Sequence, residues 1–200
     1  MATTKVRVRF APSPTGPLHM GGVRTALFNY LFARQQGGTF VLRIEDTDMQ
    51  RYVPGAEEYI IESLRWCGIM PDEGIDASGK VVTEPSPLHP HAPYRQSERK
   101  GLYEKYARQL VDSNHAYYAF DTPHELESYR EEAESRGQTF IYNHAFRKKT
   151  VNSLNMDPEE VSRRLEENKN WVIRFKVPEN KMVAMHDLIR GEVSVQTNTL

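Results

Sequence analysis

Cysteine is nearly missing: Cys67 is the single one among 200 residues, which excludes an internal disulfide and a cysteine-rich zinc site. No apolar run approaches the ~20 residues that span a bilayer. The start, MATTKVRVRF, lacks the apolar stretch and small-residue cleavage site of a secretory signal, so a reducing, cytoplasmic setting with no membrane is expected. Neither sign of charge is in excess, the net being −1, so no global field points to nucleic acid, although a neutral total can hide a basic face. Internal repeats and low-complexity tracts are absent as well. With 38% hydrophobic and 26% charged residues, the composition is that of an ordinary globular protein with room for one large domain or two small ones.

Against these absences stands a clear order of elements. In KVRVRF, Val6, Val8 and Phe10 alternate with Lys5, Arg7 and Arg9, the period of a half-buried strand. After a Pro/Gly loop, Val23, Ala26, Leu27, Tyr30 and Leu31 fall at helical spacing up to the stop at Gly37-Gly38, and Phe28 and Phe32 on a further face predict a largely buried helix. TFVLRIED reads as a second strand, so the start is a βαβ unit with parallel strands. A helix after Pro54, through Ile60, Ile61 and Leu64 to Gly68, continues a doubly wound pattern.

From Met70 to Pro93 the prolines multiply and large apolar residues thin out, a long connection whose role the sequence leaves open. A domain boundary is expected there, giving 1–93 and 94–200. LYEKYARQLV then reads as a helix, Thr122-Pro123-His124-Glu125 as a capping box, and Asp157-Pro158-Glu159-Glu160 as a repeat of that chemistry. WVIRFKV alternates as a strand, with LIRGEVSVQ expected to pair with it in antiparallel fashion. The second half is therefore mixed α+β.

In an open parallel sheet, ligands bind beyond the carboxyl ends of the strands, where Ala11 to Gly22 must lie. A helix beginning near Gly21 or Gly22 would offer free N–H groups and a positive dipole end to phosphate, with no side chain in the way. The string is neither GxGxxG nor a P-loop, and no lysine stands in it. Its form is PxxxxHxG, from Pro14 to Gly21. His19 could donate to phosphate oxygens as charge builds during attack on the α-phosphate, a contact worth ~2.7–4 kcal/mol if made in the transition state. The bland alternative is a histidine that merely caps the helix.

RFAPSPTGPLHMGGVRTALFNYLFAR, followed by RIEDTD and PYRQSER, resembles the bacterial glutamyl-tRNA synthetases, a class I aminoacyl-tRNA synthetase family, with HMGG at the place of the HIGH signature. The resemblance implies an α/β fold: a Rossmann-like parallel-sheet nucleotide-binding half, with an inserted α+β connective domain that binds the tRNA acceptor stem. It implies a ligase of protein biosynthesis that joins L-glutamate to tRNA(Glu) using ATP and Mg²⁺, usually with tRNA bound from the first step. ATP-binding residues would be Thr15, His19, Gly21 and Gly22, with His19 and Gly21 catalytic. Arg9, Ala11, Ser13 and Glu45 would hold glutamate, the guanidinium on its side-chain carboxylate and Glu45 on its ammonium. Many members carry a zinc-binding cysteine cluster near HAYYAFDT; none stands here, so no zinc is expected.

Other residues keep two readings. Arg95, Arg99, Arg147 and Lys148 lie in basic runs that either meet tRNA phosphates or face solvent. Asp46 and Asp48 are a metal pair or loop-capping groups, the latter expected. Tyr117, Tyr118 and Phe120 stack on bases or, as expected, pack in a core. KMVAM at Lys181–Met185 lacks the second lysine of the KMSKS signature and is read as unrelated to it. With no KMSKS and no returning βαβ half, the chain is expected to be an N-terminal piece, inactive alone. Two alternatives are a nucleotide- and tRNA-binding module and a glutamyl-Q type tRNA-modifying relative.

Overall fold

The computed structural model describes residues 5–167, 170–187 and 190–199. By its contacts the chain divides into two compact units, Met1–Leu102 and Tyr103–Leu200.

The first unit begins with β1 (Arg7–Phe10), α1 (Met20–Gln35) and β2 (Thr39–Leu42), followed by α2 (Ala56–Trp66). β1 and β2 are parallel, with Arg7 opposite Thr39 and Phe10 opposite Leu42, so the expected βαβ unit is present. The long connection adds to this sheet: Glu73 bridges Val41 in parallel on the far side of β2 from β1, and Ile44 bridges Arg95 further along. Gly74 makes that approach possible. Its φ is +117°, and a Cβ there would lie 2.2 Å from the carbonyl oxygen of Leu42. Asp72 accepts the Phe40 N–H at 2.8 Å and both Arg34 guanidinium nitrogens at 2.9 Å, tying connection, strand and α1 together.

The core of this unit is apolar. Phe40, Leu42, Ile44, Ile60, Leu64 and Ile69 are fully buried, and each such side chain stabilises by ~1.5–3 kcal/mol. The helix α1 departs from expectation. Ala26 and Ala33 are its buried residues, while Leu27, Phe28 and Leu31 are exposed, so its small face meets the sheet and its large apolar face does not. Tyr94 to Arg99, assigned by composition to the second half, bond into the first: Tyr94 is buried in the core, and Ser97 donates to Asp46 through its amide at 2.8 Å and its hydroxyl at 2.6 Å.

After a 3₁₀ turn at Ser97–Arg99, α3 (Lys100–Asp112) leads into the second unit, which holds β3 (Ala116–Ala119), α4 (Pro123–Ser135), α5 (His144–Arg147), α6 (Pro158–Glu167), β4 (Val172–Phe175), β5 (Met182–Asp187) and β6 (Gly191–Gln196). β3 and β4 are antiparallel, and β5 and β6 form a separate antiparallel pair. The expected partnership of WVIRFKV with LIRGEVSVQ is therefore wrong. β4 takes Ala116–Ala119 instead, and the KMVAM stretch supplies the strand that pairs with β6. Leu188 and Ile189 of that sequence segment lie outside the described residues.

Thr122 and Glu125 make the reciprocal capping box that their spacing predicts. Asp157 does not repeat it: its carboxylate accepts from the Glu159 N–H at 3.0 Å, while Glu160 turns to Arg163 and Arg164. Tyr117 and Phe120 are buried, as core packing requires. Among the described residues no helix is long and apolar enough to cross a membrane.

Candidate functional site

The loop between β1 and α1 is pinned at two points. Proline has no N–H to give, so its carbonyl is its backbone bonding group. The carbonyl of Pro12 accepts from the Glu45 N–H at 2.9 Å, and that of Pro14 from the Val53 N–H at 3.0 Å. Pro14 is also fully buried. The loop path is thus set by the chain that follows β2.

His19 is the N-cap of α1. Its Nδ1 accepts from the Gly21 N–H at 3.1 Å, and its carbonyl accepts from the N–H groups of Gly22 and Val23. The N–H groups expected to be free for phosphate are therefore partly taken. What the geometry offers instead is the ring itself. An accepting Nδ1 carries no proton, so the neutral imidazole holds its proton on Nε2, which has no hydrogen bond among the described residues. Gly21 leaves the room for this: a Cβ there would meet His19 Cε1 at 2.9 Å and Nδ1 at 3.0 Å. The bulk avoided at Gly21 is that of the imidazole.

His19, Ser13, Thr15 and Gly22 line one cavity of about 470 Å³, floored by Phe10 and Ile60. Gly21 borders it only through His19. Arg9 is elsewhere: with Arg7, Arg43, Arg99, His91 and Tyr94 it lines a second cavity of about 200 Å³. Arg9 and Phe10 are consecutive in β1, and their side chains leave the strand in opposite directions. Ala11 lines neither cavity and joins β1 to the loop.

Glu45 lies close to Arg9, as expected, but the two pair with each other. Arg9 Nη1 is 3.4 Å from Glu45 Oε1, and Arg43 Nη2 donates to the same oxygen at 3.0 Å. Sequence reasoning passed over Arg43, although it stands two residues before Glu45 on the same face of an extended segment. Behind this cluster, Glu73 takes both Arg7 nitrogens and the Tyr94 hydroxyl, the last at 2.7 Å. The Arg7 hydrogen bonds hold the Glu73 carboxyl below its usual range, and burial with Glu73 alongside pushes the Tyr94 hydroxyl up to about 12.

The basic residues expected near tRNA are mostly engaged inside the chain. Arg95 forks onto Glu57 with contacts of 2.9–3.1 Å, and Arg99 donates to the carbonyls of His91 and Pro93. Arg147 donates to the Val177 carbonyl at 3.0 Å. Lys148, largely exposed, lies 3.8 Å from Glu179. Asp48 bonds the amide and guanidinium of Arg51, the loop-capping role expected of it.

The family model for class I tRNA synthetases (E and Q), catalytic domain, matches residues 5–200. The chain belongs to this family. Among curated relatives of this class I group, glutamate-tRNA ligase of Christiangramia forsetii is 55% identical over 99% of the chain, and that of Flavobacterium johnsoniae 54% over 98%. The chain spans 37% of the length of each. A crystal structure of a glutamate tRNA ligase from Elizabethkingia meningosepticum, in complex with its amino acid, superposes with a TM-score of 0.85 at 54% identity, covering 98% of this chain and 37% of that one. The fold of the matched region is accordingly that of a class I synthetase catalytic domain, Rossmann-like.

Proposed function

We propose that the full-length protein is a glutamate-tRNA ligase. It activates L-glutamate with ATP to glutamyl-adenylate and pyrophosphate, then passes the glutamyl group to the 3′ end of tRNA(Glu) in the cytoplasm. The observation that carries the reading is the pairing of two features in one unit: a helix-capping His19 with Nε2–H unengaged, and an Arg9–Glu45 pair near the start of the same loop. The names of the relatives support the same reaction, and one solved relative carries its amino acid.

In this reading Arg9 and Glu45 exchange each other for the side-chain carboxylate and ammonium of glutamate, with Ala11 and Ser13 bordering the substrate. His19 Nε2–H, with Thr15 and Gly22 around it, meets the phosphates of ATP. Its tautomer is fixed before substrate arrives, so the donor needs no reorganisation when charge develops. Mg²⁺ would accompany ATP and supply neutralisation of phosphate charge. We read the second unit as the inserted acceptor-stem domain, with Lys148 as its most available phosphate contact among the four basic residues singled out.

Pyrophosphate exchange by the full-length protein, run with ATP, Mg²⁺ and tRNA, should depend on L-glutamate; exchange driven by glutamine instead would overturn the assignment. His19→Ala should lower kcat about 10²–10³-fold with KM for glutamate nearly unchanged. Gly21→Ala should act in the same direction by displacing the ring, with no loss of thermal stability. A normal rate in both variants would return His19 to a purely capping role.

A further inference from the structure

We infer that Arg43 is a positioning residue: it holds Glu45 in place while Arg9 leaves Glu45 for the substrate. The inference rests on the reading of Glu45 as the group that takes the amino-acid ammonium, and adds a residue to it.

The two guanidinium groups on Glu45 are not equivalent. Arg9 approaches Oε1 at 3.4 Å, and its side chain is 46% exposed. An ion pair of that length and exposure is weak and is readily exchanged for a substrate carboxylate. Arg43 reaches the same oxygen at 3.0 Å from a side chain only 23% exposed. Its backbone is fixed as well, the Arg43 N–H donating to the Phe10 carbonyl and the Glu45 N–H to the Pro12 carbonyl. Arg43 Nε is buried without a partner, so within the described residues the Glu45 carboxylate is the sole hydrogen-bond partner of this side chain. A half-buried arginine whose buried Nε is unmet and whose Nη2 donates to Glu45 is built around that carboxylate.

Both arginines address Oε1. Among the described residues Oε2 accepts no hydrogen bond, which leaves it for an ammonium. When Arg9 turns to the substrate carboxylate, Arg43 remains on Oε1. Glu45 then neither loses its charge partner nor swings after Arg9. Without Arg43, Glu45 loses its second contact, and Oε2 is no longer held where the ammonium arrives, while Arg9 stays available to a carboxylate.

The test uses the full-length protein and two probes, L-glutamate and glutarate, which keeps the two carboxylates but lacks the ammonium. Arg43→Ala should raise KM for L-glutamate about tenfold while kcat stays within about threefold, and Arg43→Lys should recover part of the loss. Inhibition by glutarate should change less than about twofold, because its contacts do not include Glu45. In a Glu45→Gln background, Arg43→Ala should have little further effect. A parallel loss of glutarate and glutamate binding would show that Arg43 merely supports the pocket wall and would overturn the inference. So would a tenfold loss that persists with Gln at position 45, or an unchanged KM in Arg43→Ala beside a raised one in Glu45→Gln. An unchanged KM in Glu45→Gln would instead overturn the reading of Glu45 itself, and the inference with it.

Discussion

In Met1–Leu102 the fully buried large side chains are apolar, Phe40, Leu42, Ile44, Ile60, Leu64 and Ile69, closed off by Pro14. In Tyr103–Leu200, Tyr117 and Phe120 are buried as well, but the most deeply buried large side chain among the described residues is an amide, Asn152. Its Nδ2 donates to the Arg147 carbonyl at 2.6 Å and to Thr150, and its Oδ1 accepts from the Leu154 N–H at 3.0 Å. Around this hub Tyr142 bonds Asp121 and Thr150, and Phe146 meets Tyr129, Phe140 and Tyr142 edge-on at 4.8–5.2 Å. Neither α4 nor α6 has a buried residue. An apolar core tolerates small shifts because its contacts are non-directional, whereas a hub of directed hydrogen bonds holds one arrangement of its loop or none. The unit that carries the proposed chemistry is therefore built around a packed sheet, whereas the other sets a polar knot at Asn152 beside its smaller apolar cluster of Ala116, Tyr117, Ala119 and Phe120.

That contrast can be broken by paired substitutions. Leu64→Ala should cost the first unit about 3 kcal/mol, chiefly from the cavity it leaves. Asn152→Ala should cost the second unit about 2 kcal/mol through the unpaired carbonyls it strands, and Asn152→Leu should be no better, since a leucine satisfies none of them. Equilibrium denaturation followed by hydrogen exchange in each unit measures both; a neutral Asn152→Leu would mean that the second unit is apolar at heart.

A smaller effect tests the polar groups of the first unit. Glu73 is depressed below its ordinary value of 4.5, first by Arg7, so its contribution is present above that value and is lost as pH falls through the folded-state pKa. Wild type should thus exceed Glu73→Gln in stability by about 2 kcal/mol at neutral pH, with the gap narrowing as pH drops below about 4.5. A gap independent of pH would assign the loss to packing. Smallest is the cap of α4: Thr122→Ala should cost about 1 kcal/mol, seen as fraying of Pro123–Ser135 in hydrogen exchange.

Much of the first unit was legible because its signals are local. Alternation in KVRVRF, helical spacing after the loop and the glycine stops specify βαβ without reference to anything distant. The exposure of Leu27, Phe28 and Leu31 was not legible, because periodicity states which residues share a face and not whether that face is covered. Strand pairing in the second unit failed for a related reason. Ala116–Ala119 and Met182–Asp187 are short, and choosing partners for WVIRFKV depends on loop closures that no local window contains. At the site, His19 and the Arg9–Glu45 neighbourhood were found through the motif. Arg95 and Arg99 read as free cations because their partners, Glu57 and the carbonyls of His91 and Pro93, come together only in the fold.

The two proline carbonyls bound by Glu45 and Val53 have one more consequence. They act as graduations on a ruler. One residue separates Pro12 from Pro14, and each is matched to its own amide downstream, so the interval between Arg9 and His19 is fixed by counting along the chain rather than by how well side chains fit. An insertion of a single residue at Ser13 would leave every neighbouring atom type in place and still misalign one of the two anchors. Such a loop can change its residues far more readily than it can change its length.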